Sequence, residues 1–126
     1  MQELSTDDAP AAIGPYSQGI VDGDTVYVSG QGPIDPDGEV LVEGDTAEQA
    51  HRTLDNVAAV LSAAGASLDD VLKATVFLTD IGYYDAVNDA YAERMSEPFP
   101  ARSAVEVADL PVEGMRVEVE VIAGLD

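Results

Sequence analysis

The sequence predicts an α+β domain, a mixed sheet with two helices on one face in the order β-β-α-β-α-β-β. Two stretches with helical spacing of apolar residues, short β-branched runs between them, and Gly or Pro at most junctions carry this reading. At 126 residues with 46% apolar content, residues 1–126 fit one domain with a core of useful size.

Tyr16 to Val21 and Thr25 to Ser29 read as two strands around Asp22-Gly23, a hairpin signal because glycine accepts the positive φ of a tight turn. Pro33 to Gly38 is a loop. Asp45-Thr46-Ala47-Glu48 then opens a helix, with an Asp cap and a Glu three residues on. Ala47, Ala50, Leu54, Val57, Ala58, Leu61 and Ala64 continue it at helical spacing, and Gly65 supplies the stop. Val71 to Leu78 is the next strand, rich in β-branched and aromatic residues and ending at Asp80, a cap for the second helix. Tyr84, Val87, Tyr91 and Met95 form that helix's apolar stripe, and Pro98 and Pro100 end it. Ala101 to Val107 and Arg116 to Ala123 complete the sheet, with a turn at Pro111 to Gly114, and are expected to pair as a hairpin.

Alternation sorts the strands into two faces. Val26, Val28, Leu72, Ala74, Val76, Leu78, Val105, Val117, Val119 and Val121 form the apolar set assigned to the helix side. Opposite them fall Tyr27, Ser29, Lys73, Thr75, Phe77, Arg102, Ala104, Arg116, Glu118, Glu120 and Ile122. Aromatic, aliphatic and oppositely charged residues on one face suit an oligomer interface that also holds a polar site.

Five Lys and Arg stand against 25 Asp and Glu, a formal net charge of −20. That charge disfavours nucleic-acid backbones and anionic membranes, both of which recruit cations. The acid is spread along the chain, as befits a surface adapted to high salt, so a halophilic source is expected. Cysteine is absent, which excludes disulfides and thiol nucleophiles. The single histidine, His51, makes no metal site. No apolar run approaches the roughly 20 residues of a membrane span, and the polar start lacks a signal-peptide pattern, so a cytoplasmic location is expected.

Phe99-Pro100-Ala101-Arg102-Ser103-Ala104-Val105 puts a rare arginine into a strand. Its guanidinium can grip a carboxylate through two hydrogen bonds, or it can pair with Glu120, which alternation places on the same face. In the functional alternative Arg102 holds a substrate carboxylate while Glu120 orients or deprotonates a water. Tyr16, beside Gly14-Pro15, suits a pocket wall, and Ser29-Gly30-Gln31-Gly32 lets a ligand approach the backbone. Asn88, beside the Tyr84 and Tyr91 stripe, reads as a structural hydrogen-bonding residue.

Ala9-Pro10-Ala11-Ala12-Ile13-Gly14-Pro15-Tyr16-Ser17-Gln18, Val28-Ser29-Gly30-Gln31, Thr53-Leu54-Asp55-Asn56-Val57, Phe99-Pro100-Ala101-Arg102-Ser103 and Val117-Glu118-Val119-Glu120-Val121-Ile122-Ala123, taken together, closely resemble the RidA/YjgF family of reactive-intermediate deaminases. The resemblance runs from Ala9 to Ala123. It implies a chorismate-mutase-like fold assembled as a homotrimer with sites between subunits. It also implies cofactor-independent hydrolysis of 2-imino acids and their enamine tautomers, such as 2-aminoacrylate, to 2-oxo acids and ammonia. Arg102 matches the family's substrate-carboxylate arginine. Tyr16, Ser29, Gly30 and Glu120 match pocket positions, with Glu120 expected to help activate the water, and Asn88 matches a characteristic position kept here as structural. Ala104 stands where the family commonly has cysteine, which removes thiol chemistry and leaves a backbone carbonyl to position a water. Two other functions have been associated with this fold and its relatives: a non-catalytic small-molecule-binding or chaperone-like trimer, and a ribonuclease or translation inhibitor, which the net charge disfavours.

Overall fold

The computed structural model describes residues 1–41 and 43–126. Its strands are β1 (Gln2–Leu4), β2 (Gly19–Asp22), β3 (Thr25–Gln31), β4 (Val71–Leu78), β5 (Ala101–Glu106) and β6 (Val117–Gly124). Helices α1 (Thr46–Ser62) and α2 (Tyr84–Arg94) follow β3 and β4. The strands form one sheet in the order β1-β2-β3-β6-β4-β5, in which only the β4–β5 pair is parallel.

The short β1 has no counterpart in the sequence reading. It is held at the edge by Leu4, which is buried against the core. Gly19 permits this packing, since a Cβ there would lie 2.9 Å from Val60 and 3.1 Å from Leu4. The β2–β3 hairpin forms as expected, turning at Gly23 with φ 61°. Its first strand begins at Gly19 rather than Tyr16, because Gly14 to Tyr16 make their own tight turn, closed by Tyr16 N–H donating to Gly14 O at 2.8 Å.

Helix α1 carries the expected capping box. Asp45 Oδ1 accepts from Glu48 N at 2.8 Å, and the Glu48 carboxylate reaches back to Asp45 N. Ala50, Leu54, Val57, Val60 and Leu61 fill its sheet-facing side. In α2 the buried residues are Val87, Ala90 and Tyr91, while Tyr84 at the first turn is 37% exposed and drops out of the expected stripe.

The expected β5–β6 hairpin does not form. Helix α2 acts as a crossover that returns the chain parallel to β4, and parallel neighbours need such a connection. Strand β6 then inserts between β3 and β4, antiparallel to both. Its Val117, Val119, Val121 and Ala123 meet the helices together with Val26, Val28, Ala74, Val76 and Leu78.

Four face assignments in β4 and β5 change. A bulge between Val71 and Lys73 turns Val71 inward and leaves Leu72 60% exposed. Parallel pairing sets Arg102 beside Ala74 and Ala104 beside Val76, both inward positions of β4. Arg102 and Ala104 therefore lie on the helix side, and Val105, paired with Phe77, lies on the open face and is 43% exposed.

Candidate functional site

A cavity of about 780 Å³ lies where the loop after β1, the end of β3 and the start of β6 converge. Its polar side is formed by Tyr16, Ser29, Gly30, Gln31, Glu118 and Glu120, and its apolar side includes Ile13, Ile34, Pro36, Val112 and Met115. The sheet register builds the polar side. Val28 pairs with Val121 but Gln31 with Val119, so β3 carries one extra residue at Ser29-Gly30, opposite Glu120. Such a bulge bends the strand and re-aims its side chains. Ser29 Oγ donates to Ser17 O at 2.6 Å, binding β3 to the segment that carries Tyr16.

Gly30 admits a close approach by a carboxylate. A Cβ at Gly30 would sit 2.5 Å from Glu118 Oε2, so a side chain there would displace the acid. Burial, and secondarily the charge of Glu120, push the Glu118 carboxyl above its ordinary pKa. Alternation alone placed Glu118 on this face, but its backbone contact at Gly30 depends on the bulge, which singles it out only in the structure. Glu120 is exposed at the cavity's edge.

The cavity wall is tied to buried amides. Gln18 donates to Pro10 O at 2.8 Å and accepts from Thr6 N at 2.7 Å, strapping the N-terminal segment across the site. Tyr16 is 49% exposed, and its hydroxyl accepts from Ile13 N at 3.3 Å.

Arg102 is elsewhere. On the helix side its guanidinium carbon lies 4.8 Å from the Tyr91 ring centroid and 5.6 Å from that of Tyr84, and Nη2 donates to the Tyr84 hydroxyl at 3.1 Å. Stacking on aromatic faces explains how an arginine occupies an inward strand position. The side chain of Asn88, half-buried on α2, and then the charge and hydrogen bond of Arg102, draw the Tyr84 pKa down. Burial raises the pKa of Tyr91, with Arg102 opposing. A shallow groove of about 410 Å³ lined by Ile81, Gly82, Tyr84 and Asp85 opens beside this cluster.

The structure thus brings together Tyr16, Ser29, Gly30 and Glu120, adds Glu118, and separates them from Arg102, Asn88 and Ala104. The Arg102–Glu120 ion pair, one of the two alternatives the sequence left open, does not form: the ion pairs among the described residues are His51–Glu93 and Arg94–Asp55. His51 accordingly belongs to a contact between the two helices. Arg116 also leaves the mixed face, donating to Gly44 O at 2.7 Å and lying over the Tyr83 ring.

This fold, two helices on a mixed sheet with a bulged strand at a polar cavity, defines a class. The model of the family described as Endoribonuclease L-PSP matches residues 6–125. The human 2-iminobutanoate/2-iminopropanoate deaminase is 45% identical over 95% of this chain and 87% of its own length. The crystal structure of RidA from an Antarctic Psychrobacter superposes with TM-score 0.93 at 45% identity, covering 99% of this chain and 100% of that one. Escherichia coli TdcF with bound serine superposes with TM-score 0.92 at 39% identity, covering 100% of both chains. The chain belongs to the RidA/YjgF family.

Proposed function

We propose that this protein hydrolyses 2-imino acids and their enamine tautomers to 2-oxo acids and ammonia, without a cofactor, at sites completed between the subunits of a homotrimer. One observation carries the reading. In a chain with 25 acids, Arg102 has no carboxylate partner among the described residues and is held in place by two tyrosines. A planar donor so held is ready for a carboxylate brought by a ligand. The relatives named as imine deaminases support the same chemistry.

Because Arg102 and the cavity acids occupy different faces, a single copy does not unite them. A second copy packed on the open face, where Tyr27 and Ile122 are 47% and 36% exposed, would bury apolar area and bring its Arg102 rim to the cavity. In that site Arg102 and Tyr84 bind the substrate carboxylate, and Tyr16 and Ser29 line the reacting end. The Glu118 and Glu120 pair takes a proton from water, whose oxygen bonds to C2 as the C=N π bond shifts its electrons to nitrogen. Protonation of that nitrogen gives the carbinolamine, whose hydroxyl proton then passes by way of the carboxylates to the amine as the C–N bond breaks, releasing ammonia and leaving the 2-oxo acid. Ala104 contributes only its backbone near the arginine.

The direct test is a coupled assay in which an amino-acid oxidase generates an imino acid and its loss is followed with and without the protein in high salt. Acceleration above spontaneous hydrolysis supports the reading, and none refutes it. The bound serine in TdcF favours one second reading, a trimer that binds small amino acids without turnover; binding without acceleration would establish it. A net charge of −20 weighs against ribonuclease activity.

A further inference from the structure

Of the five Lys and Arg side chains, four are engaged. Arg94 pairs with Asp55, Arg52 donates to Asn56 Oδ1 at 2.6 Å, Arg116 donates to Gly44 O at 2.7 Å, and Arg102 lies against Tyr84 and Tyr91. Lys73, the chain's single lysine, is exposed, and its ammonium has no carboxylate partner among the described residues. It stands free in a molecule with 25 acids.

The sheet register shows what surrounds it. Lys73 pairs with Ile122 and Ala101, Thr75 with Glu120 and Ser103, and Phe77 with Glu118 and Val105, and alternation puts all of these on the open face. With Arg102 and Arg116 gone from that face, Lys73 is its sole basic side chain. Its acids are Glu118 and Glu120 at the cavity, Glu3, which accepts from Ser17 Oγ, and Asp22 at the end of β2. Tyr27 is the remaining titratable group of its strands, and Tyr16 and Asp37 line the same cavity as the two glutamates. Glu118 lies against Gly30, whereas Glu120 is exposed and unpaired.

We propose that Lys73 of each copy pairs with Glu120 of the neighbouring copy and is a positioning residue of the shared site, holding that carboxylate ionised beside the substrate. This rests on the deaminase reading above and on its two-copy site, to which it adds a residue. Arg102 and Lys73 lie at one level of adjacent strands, Arg102 beside Ala74 and Lys73 beside Ala101, and such strands are only about 4.8 Å apart. A neighbour that brings its cavity acids to the Arg102 rim therefore brings them over Lys73. Closing the face around two like charges is costly without a counter-ion, and Lys73 is the cation that face supplies. With the acids balanced by Lys73, Arg102 stays free for the carboxylate of the substrate.

Because the chain has one ε-amine, acetylation by acetic anhydride, followed at Lys73 by mass spectrometry, reads the contact without reference to activity. Only the neutral amine reacts, and an opposite charge within reach shifts a pKa by about 1–3 units, so Lys73 should acetylate at least about tenfold more slowly in the native protein in high salt than in the urea-unfolded chain. Glu120→Gln should restore most of that rate, and Glu118→Gln little of it. A native rate equal to the unfolded one, or one that Glu120→Gln moves no more than Glu118→Gln, overturns the pairing. Kinetics supply a second readout. Lys73→Met takes a positive charge from the carboxylates and so raises their pKa, which should move the acid limb of kcat/KM to higher pH by about one unit. Lys73→Arg should return it. An unmoved limb in Lys73→Met also overturns the pairing, whereas the expected acetylation pattern in a protein that turns over no imine leaves the pairing standing and removes the deaminase reading.

Discussion

Arg102 and Glu120 stand on opposite faces of the sheet, with β4 between their strands: Arg102 pairs with Ala74 and Glu120 with Thr75, consecutive residues whose side chains point to opposite sides. This relationship rules out a direct ion pair and makes a shared site a matter of two copies.

Arg102→Lys should lower kcat/KM by about 10- to 100-fold while thermal stability changes little, because a charge-assisted hydrogen bond is worth about 1.5–3 kcal/mol and a point ammonium cannot reproduce the planar grip. Steady-state kinetics together with a melting curve check this. Activity near wild type would remove Arg102 from the site.

Glu118→Gln and Glu120→Gln should each lose mainly kcat, with the larger loss, about 100-fold or more, at Glu118, since general-base contributions run to about 10²–10⁴. The pH profile adds a sign. In the proposed mechanism Glu118 is a base only when ionised, and burial followed by the charge of Glu120 raises its pKa. The acid limb of kcat/KM should therefore lie above the ordinary carboxylate range. Removing the Glu120 charge lowers that pKa, so in Glu120→Gln the limb should move to lower pH. An unmoved limb would assign the titration to another group.

Asn56→Leu should destabilise the fold by about 1–3 kcal/mol for each buried group it strands, here the carbonyls of Gly32 and Ile34 and the Arg52 guanidinium. Denaturant melts measure this. A loss below 1 kcal/mol would show that the wall does not depend on the amide.

Subunits of charge −20 repel one another. The proposed trimer and its proposed activity should therefore weaken together as salt is lowered and screening is lost. Sedimentation and imine hydrolysis across one salt series check the coupling, and a trimer unchanged at low salt would contradict the surface-charge argument.

Much of this architecture was legible because its signals are local. The Asp45 and Glu48 capping box, the Gly65 stop and the alternation of Val117, Val119 and Val121 each declare an element within a few residues. What escaped was decided by strand partners distant in sequence. The faces of Arg102 and Val105 follow from parallel pairing with β4, and Leu72 from a bulge against β6. Glu118 was visible as an alternating acid but acquired its contact with Gly30 only through the bulge in β3. Tyr16, Ser29, Gly30, Glu120 and Arg102 were singled out by resemblance, whereas their division between two faces required the register.

The most direct test of the shared site is subunit complementation. Arg102→Ala and Glu118→Gln, each inactive alone, are unfolded together in equal amounts and refolded in high salt. In a randomly mixed cyclic trimer about one site in four unites the intact arginine of one copy with the intact glutamate of its neighbour. Recovery of about a quarter of wild-type activity is the predicted result; mixed trimers that form and remain inactive would contradict a site built from two subunits.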